Sequence, residues 1–103
     1  MPTIIIDKTE SDKLQYEWDE DKRQSNLDKH GLDFAVAWMV LENPLSRTYD
    51  DLKHSQNEMR KMTIGPLKEL YVVVVIHTDR HGVTRIISFR RANDKERKKL
   101  WQS

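Results

Sequence analysis

Apolar residues run unbroken from Leu70 through Tyr71, Val72, Val73, Val74 and Val75 to Ile76. A short run rich in β-branched side chains and bounded by polar residues marks a strand buried on both faces. After Asp79-Arg80-His81-Gly82, the stretch from Thr84 alternates apolar and polar positions until it ends in Arg90 and Arg91. Gly82 is free to take a positive φ, so the four intervening residues read as the turn of a β-hairpin at the centre of a sheet.

The rest of the pattern places further elements around that hairpin. Leu14-Gln15-Tyr16-Glu17-Trp18 alternates and reads as a strand, and Asp19 then caps a helix that runs to about Lys29 and stops at Gly31. Leu27 is the only aliphatic residue of that helix, so Asn26 is expected to be buried and hydrogen-bonded as a structural group. Asp33 is placed to cap a second helix, in which Phe34, Ala37, Trp38 and Leu41 form one apolar stripe before Asn43-Pro44 ends it. Strands are expected at Leu45–Tyr49 and Met59–Ile64, the latter with Arg60, Met62 and Ile64 on one face and Lys61 and Thr63 on the other. Gly65-Pro66 reads as a turn. Asn93 and Glu96 form a capping box for a last helix anchored by Leu100 and Trp101.

The resulting order, β-α-α-β-β-β-β-α, predicts an α+β fold: an antiparallel sheet of four to five strands, two N-terminal helices packed on one face, and a C-terminal helix. Residues 15–103 read as a single domain. Residues 1–14 read as an extension, flexible or supplying an edge strand through Ile4, Ile5 and Ile6.

Composition narrows the function. The chain has 103 residues, 34% of them charged, with a formal net charge of +1, which disfavours a uniformly basic nucleic-acid coat but permits a local basic patch. It has no cysteine, hence no disulfide framework and no thiolate chemistry. No apolar run is long enough to span a bilayer, and the first residues lack the pattern of a signal peptide, so a cytoplasmic protein without membrane contact is expected. No glycine-rich phosphate loop, HExxH or GxSxG motif is present, and His30, His54, His77 and His81 are scattered, so neither a metal nor another cofactor is expected.

The candidate chemistry lies at the ends of the strands. Arg60, Arg85, Arg90 and Arg91 fall on strands that can be neighbours, and arginines on a rigid sheet hold phosphates bidentately. By strand parity Arg85, Ile87, Phe89 and Arg91 share one face and Ile86, Ser88 and Arg90 the other, unless a bulge intervenes. RNA cleavage without a metal needs a base for the 2′-OH, cations for the phosphate charge, and an acid for the leaving 5′-oxygen. His77 or His54 fits the titration range, and Glu17 at a strand end is a further acid or base candidate.

These residues, taken in order, resemble the BrnT toxin family. Tyr16-Glu17-Trp18-Asp19, Asn26, Lys29-His30-Gly31, Phe34 and Ala35 match its opening, and Asn43-Pro44-Leu45, Asp51 and His54-Ser55 match its next segment. Its C-terminal half is matched by Arg60, Gly65, Val73-Val74-Val75, His77-Thr78, Arg85-Ile86-Ile87-Ser88, Arg90-Arg91-Ala92 and Glu96-Arg97. The chain departs from the family pattern at Phe89, where a small residue is usual, and at the Gly65–Leu70 stretch, which replaces a more basic turn. The resemblance implies a RelE-like fold and a ribonuclease toxin of a type II toxin–antitoxin system that shuts down translation. It implies a BrnA-like antitoxin with a DNA-binding domain, a hetero-oligomer with that antitoxin, and contact with operator DNA through it. It makes Arg90, Arg91, Arg60, His77 and Glu17 the expected catalytic residues and Lys29, His54 and Arg85 the expected substrate contacts. The alternative is a non-catalytic binding module that acts with such an antitoxin in operon autoregulation.

Overall fold

The computed structural model describes residues 3–7 and 15–101, with side chains described for 15–101. Strands β1 (Thr3–Asp7), β2 (Gln15–Asp19), β3 (Arg47–Asp50), β4 (Arg60–Leu67), β5 (Tyr71–Arg80) and β6 (Val83–Arg91) form one sheet in the order β1-β2-β6-β5-β4-β3. The helices are α1 (Glu20–His30), α2 (Trp38–Leu41) and α3 (Asp94–Trp101). This is the expected mixed α+β class, with β1 added at the edge along the whole of β2. Leu14 and the rest of the stretch at 8–14 lie outside the described residues.

The hairpin at the sheet's centre closes tightly. Its turn is His81-Gly82, both at positive φ (53° and 82°), the geometry that matches strand twist in two-residue hairpins. Asp79 and Arg80 therefore extend β5 and pair with Thr84 and Val83. Val73, Val74 and Val75 are all fully buried, so β5 is covered on both faces. On one face Val73, Val75, Ile86 and Phe89 pack with Tyr16, Trp18, Phe34, Ala37 and Val40. On the other, Ile64 and Val74 pack with Leu100 of α3.

Three local expectations are corrected. Gly65 and Pro66 are not a turn but lie inside β4, opposite Val73 and Val72. β3 pairs only as far as Ile64, so the missing N–H of Pro66 breaks no ladder on that side. Gly65 is required by close approach: a Cβ there would lie 1.8 Å from Ser46 Oγ and 3.1 Å from Val40 Cγ1. The second helix is not continuous. A 3₁₀ turn, Phe34–Val36, precedes the short α2, and the fully buried residues are Phe34, Ala37 and Val40. Their spacing of three suits a 3₁₀ repeat, and it leaves Trp38 and Leu41 only half-buried. Finally, the sheet is mixed, because β2 runs parallel to β6. No hairpin joins these two strands, so no turn dictates their direction.

The β2–β6 ladder is short, pairing Tyr16 with Thr84 and Glu17 with Arg85. Farther along, the buried amide of Asn26 takes the place of a strand. Its Nδ2 donates to Phe89 O (2.8 Å) and Leu32 O (2.9 Å), and its Oδ1 accepts from Phe89 N–H (3.1 Å). Helix α1 is thereby joined to β6 through one polar side chain, the structural role expected for Asn26. The helix begins and ends as its sequence indicates, with Asp19 accepting from Asp21 N–H and Gly31 in the left-handed region. Arg23 then bridges α1 to Asp33, the cap of the 3₁₀ turn, at 2.8 and 3.0 Å. Among the described residues no helix is long and apolar enough to cross a membrane.

Candidate active site

One extra residue in β6 decides which arginines meet. Ile76 pairs with Ser88 and His77 with Ile86, so Ile87 is bulged out of register. Ile86 and Phe89, three apart, consequently enter the same core cluster. Arg90 is rotated to the opposite face, in line with Val74 and Ile64, while Arg91 stays on the face of Phe89, paired with Val73. One register row runs Arg60, Thr78, Arg85, Glu17 across four strands, and another runs Ile64, Val74, Arg90. Arg60, Arg85 and Arg90 therefore share a face. Simple parity groups Arg85 with Arg91 instead, and the bulge overturns it.

That face is concave. A depression of about 280 Å³ is floored by Met62, Ile76, Ile87 and Ser88 and walled by Arg60, Arg90, Asp51 and His54. A second, of about 260 Å³, shares His54 and Arg60 and adds Gln56, Asn57 and Glu58. A third, of about 190 Å³, shares Ile87 and Ser88 and is completed by Lys22, Ser25, Asn26, Lys29 and His30 of α1. Three small hollows that share walls suit a chain laid across the surface better than an enclosed small molecule.

The cations differ in how they are held. Arg85 donates to Glu17 at 2.9 Å, and both side chains are largely buried (16% and 15% exposed). Arg90 Nη1 and Nη2 donate to the two oxygens of Glu96, each at 2.8 Å, which keeps the Glu96 carboxyl below the usual carboxylate range. Glu96 also accepts from Asn93 N–H in the expected capping box, so the start of α3 fixes the guanidinium. This leaves the Nε edge of Arg90 free for an oxyanion, because a guanidinium has five N–H donors. Among the described residues, the Arg60 side chain makes no ion pair or hydrogen bond. It lines the two hollows that His54 also borders.

The other expected site residues fall elsewhere. His77 lies on the opposite face, where its Nε2 is 2.7 Å from Thr63 Oγ1 and Thr63 in turn meets Thr48 at 2.7 Å. Arg91 stacks on the Tyr71 ring at 4.0 Å from the centroid. Phe89 is fully buried in the core, away from the hollows. Glu17 is on the arginine face but is bound to Arg85, and Lys29 is exposed on α1 in the third hollow. Among the described residues no three His, Cys, Asp or Glu side chains are grouped to hold a metal ion. The pairing of Glu96 with Arg90 and of Asp51 with His54 is visible only in three dimensions. The spacing Asp51-x-x-His54 was the available signal for the second; nothing in the sequence marked the first beyond the capping box.

Burial pushes the His77 imidazole down to about 4, with the nearby Lys61 charge acting in the same direction. The sign follows from linkage: between its usual value of 6.5 and about 4 the unfolded chain binds the proton more strongly, so stability falls as pH falls through that window. His77→Gln is expected to flatten this part of the stability curve, by an amount of order 3 kcal/mol between the plateaus. Urea unfolding at a series of pH values checks it, and an unchanged slope in the variant would contradict it.

The family profile described as "Ribonuclease toxin, BrnT, of type II toxin-antitoxin system" matches residues 18–96. No curated protein matches the chain. Among solved structures, the crystal structure of the Brucella abortus ribonuclease toxin BrnT is similar, with 33% sequence identity and a TM-score of 0.61 over 75% of this chain and 94% of that one. The profile match spans most of the described domain, from the end of β2 through the hollows to the start of α3, and the chain belongs to the BrnT family of ribonuclease toxins of type II toxin–antitoxin systems.

Proposed function

We propose that this chain is itself an endoribonuclease toxin of RelE-like architecture that cuts RNA by attack of a 2′-OH on the adjacent phosphorus, without a metal, and so inhibits translation. The observation that carries the reading is the meeting of Arg60 and Arg90 on one depression of a rigid sheet. As the 2′-oxygen bonds to phosphorus, charge builds on the phosphoryl oxygens. Arg60 supplies an unshared positive charge there, and Arg90 supplies an oriented pair of donors. Arg85 is neutralised by Glu17 at the far end of the same row, so Glu17 pairs with a cation rather than moving a proton. His77 and Arg91 have no part in the chemistry on this reading. Lys29, beside Lys22, contacts the backbone of the RNA where it passes α1.

The partner on this reading is a BrnA-like antitoxin with a DNA-binding domain. It forms a hetero-oligomer with the chain in the cytoplasm and brings it to operator DNA. Expression in cells without any partner gene tests the toxin role. Wild type is expected to arrest growth and deplete messenger RNA, and an Arg60→Ala, Arg90→Ala double variant to do neither. A wild type that is harmless alone yet sharpens operator binding by a partner would replace the enzyme with the binding module.

A further inference from the structure

We propose that His54 is the proton-transfer residue of this face and that Asp51 is its positioning residue, an inference that rests on the ribonuclease reading. Three carboxylates near Arg60 and Arg90 are already committed: Glu17 to Arg85, Glu58 to Arg80, and Glu96 to Arg90. His54 is different. It walls both hollows that share Arg60. Its Nδ1 lies 3.0 and 3.1 Å from the two carboxylate oxygens of Asp51. A carboxylate accepts only, so Nδ1 carries the hydrogen in that contact, and in the neutral ring the lone pair is on Nε2. The imidazole side chain is 59% exposed while the Asp51 side chain is 12% exposed, so the acid sits behind and the ring faces the hollow.

The dyad is also tied to Arg60 by the backbone. Asp51 N–H donates to Arg60 O at 2.8 Å, and Arg60 N–H donates to Ser55 Oγ at 2.8 Å. Ser55 Oγ donates in turn to Asp51 O at 2.6 Å, and His54 N–H donates to the same carbonyl at 3.2 Å. The 3₁₀ turn Leu52–His54 is thus stapled to the start of β4, which fixes the imidazole relative to the guanidinium. A surface ion pair needs no such staple. A proton-transfer group does, because its nitrogen must stay within hydrogen-bond reach of the reacting hydroxyl while the cation holds the phosphate.

In the step this implies, His54 Nε2 takes the 2′-OH proton as the 2′-oxygen bonds to phosphorus. The bond from phosphorus to the 5′-oxygen breaks with its electron pair, and that oxygen takes a proton from the imidazolium or from water. The products are a 2′,3′-cyclic phosphate and a free 5′-OH. Asp51 stabilises the transient imidazolium. The charged groups facing the ring are Asp51 on its own turn, Glu58 and Arg60 in one hollow and Arg90 in the other.

The test compares wild type, His54→Gln, Asp51→Asn, Asp51→Glu and Arg90→Ala on a single-stranded RNA of mixed sequence, and measures binding of the all-2′-deoxy counterpart. His54→Gln is expected to lose about 10²-fold in kcat, with binding of the deoxy strand within about twofold of wild type. Asp51→Asn is expected to lower kcat by about tenfold with binding of the deoxy strand within about twofold of wild type, and Asp51→Glu to recover most of that loss. A loss shared by rate and binding, or one that Asp51→Glu does not recover, would overturn the positioning role. If His54→Gln cleaves at the wild-type rate while Arg90→Ala does not cleave, the dyad is wrong and the ribonuclease reading stands. If His54→Gln loses binding in step with cleavage, the residue is a phosphate contact and the proposal fails. If wild type leaves RNA intact under every condition, both fail.

Discussion

Replacing Arg60 or Arg90 with alanine is expected to slow RNA cleavage by about 10²–10³-fold, the usual loss when one donor to a developing oxyanion is removed. Replacing Arg91, the very next residue, is expected to change it by no more than about twofold, as for an exposed side chain outside the chemistry. The contrast rests on the bulge at Ile87, which turns Arg90 to the face of Arg60 and leaves Arg91 stacked on Tyr71. Arg90→Lys is expected to fail almost as badly as alanine. An ammonium has no fork with which to hold both Glu96 and a phosphate at once. Arg90→Ala also strands the carboxylate of Glu96, which is only 13% exposed, so the variants are compared for helix content and melting temperature before their rates are compared. Initial rates on a labelled oligonucleotide decide the matter: equal losses at Arg90 and Arg91 would mean that the bulge does not sort them.

Asn26→Ala is expected to cost about 2–4 kcal/mol of stability, because it leaves buried groups without partners. Phe89 N–H, Phe89 C=O and Leu32 C=O all bond to this one amide. For a domain whose total stability is of order 5–15 kcal/mol this is a large fraction. Asn26→Asp is not a rescue: it keeps an acceptor for Phe89 N–H but turns a carboxylate toward two carbonyls. Urea unfolding measures the effect, and a loss below about 0.5 kcal/mol, typical of a surface site, would show that the amide does not complete the edge of β6.

Local chemistry made much of the fold legible. Asp19 and Gly31 marked the ends of α1, Asn93 and Glu96 marked the start of α3, and the valine run marked the central strand. Each of these signals lies within a few residues of what it determines. The misses are of another kind. A bulge adds one residue to one strand and leaves no mark in the alternation of Ile86, Ile87 and Ser88, because all three suit a strand on either face. The parallel pairing of β2 with β6 joins segments far apart in sequence, with no turn to announce it. The stripe at Phe34, Ala37, Trp38 and Leu41 fitted a helical period, but packing selected Phe34, Ala37 and Val40 instead.

The candidate site divides along the same line. Arg60, with Met62 and Ile64, was legible from the alternation in β4, and the structure keeps them on one face. His77 stood out in sequence as a histidine near the end of the most conspicuous strand. Its neighbours, Thr63 and the buried face, became visible only in three dimensions. His54 sits in a polar connection with no periodicity to read, and its value depends on Asp51, Ser55 and Arg60 meeting across that connection. Glu96 was read as a cap, which it is. Its second bond, to Arg90, reaches back across the end of β6, where no local pattern points.

The most direct measurement is the identity of the ends produced when purified wild-type protein is incubated with single-stranded RNA in excess EDTA. The expected result is fragments ending in 2′,3′-cyclic phosphate and beginning with 5′-OH, released at least about 100-fold faster than by the Arg60→Ala, Arg90→Ala protein. Intact RNA, cleavage that stops when metal is removed, or equal cleavage by the double variant would contradict the account.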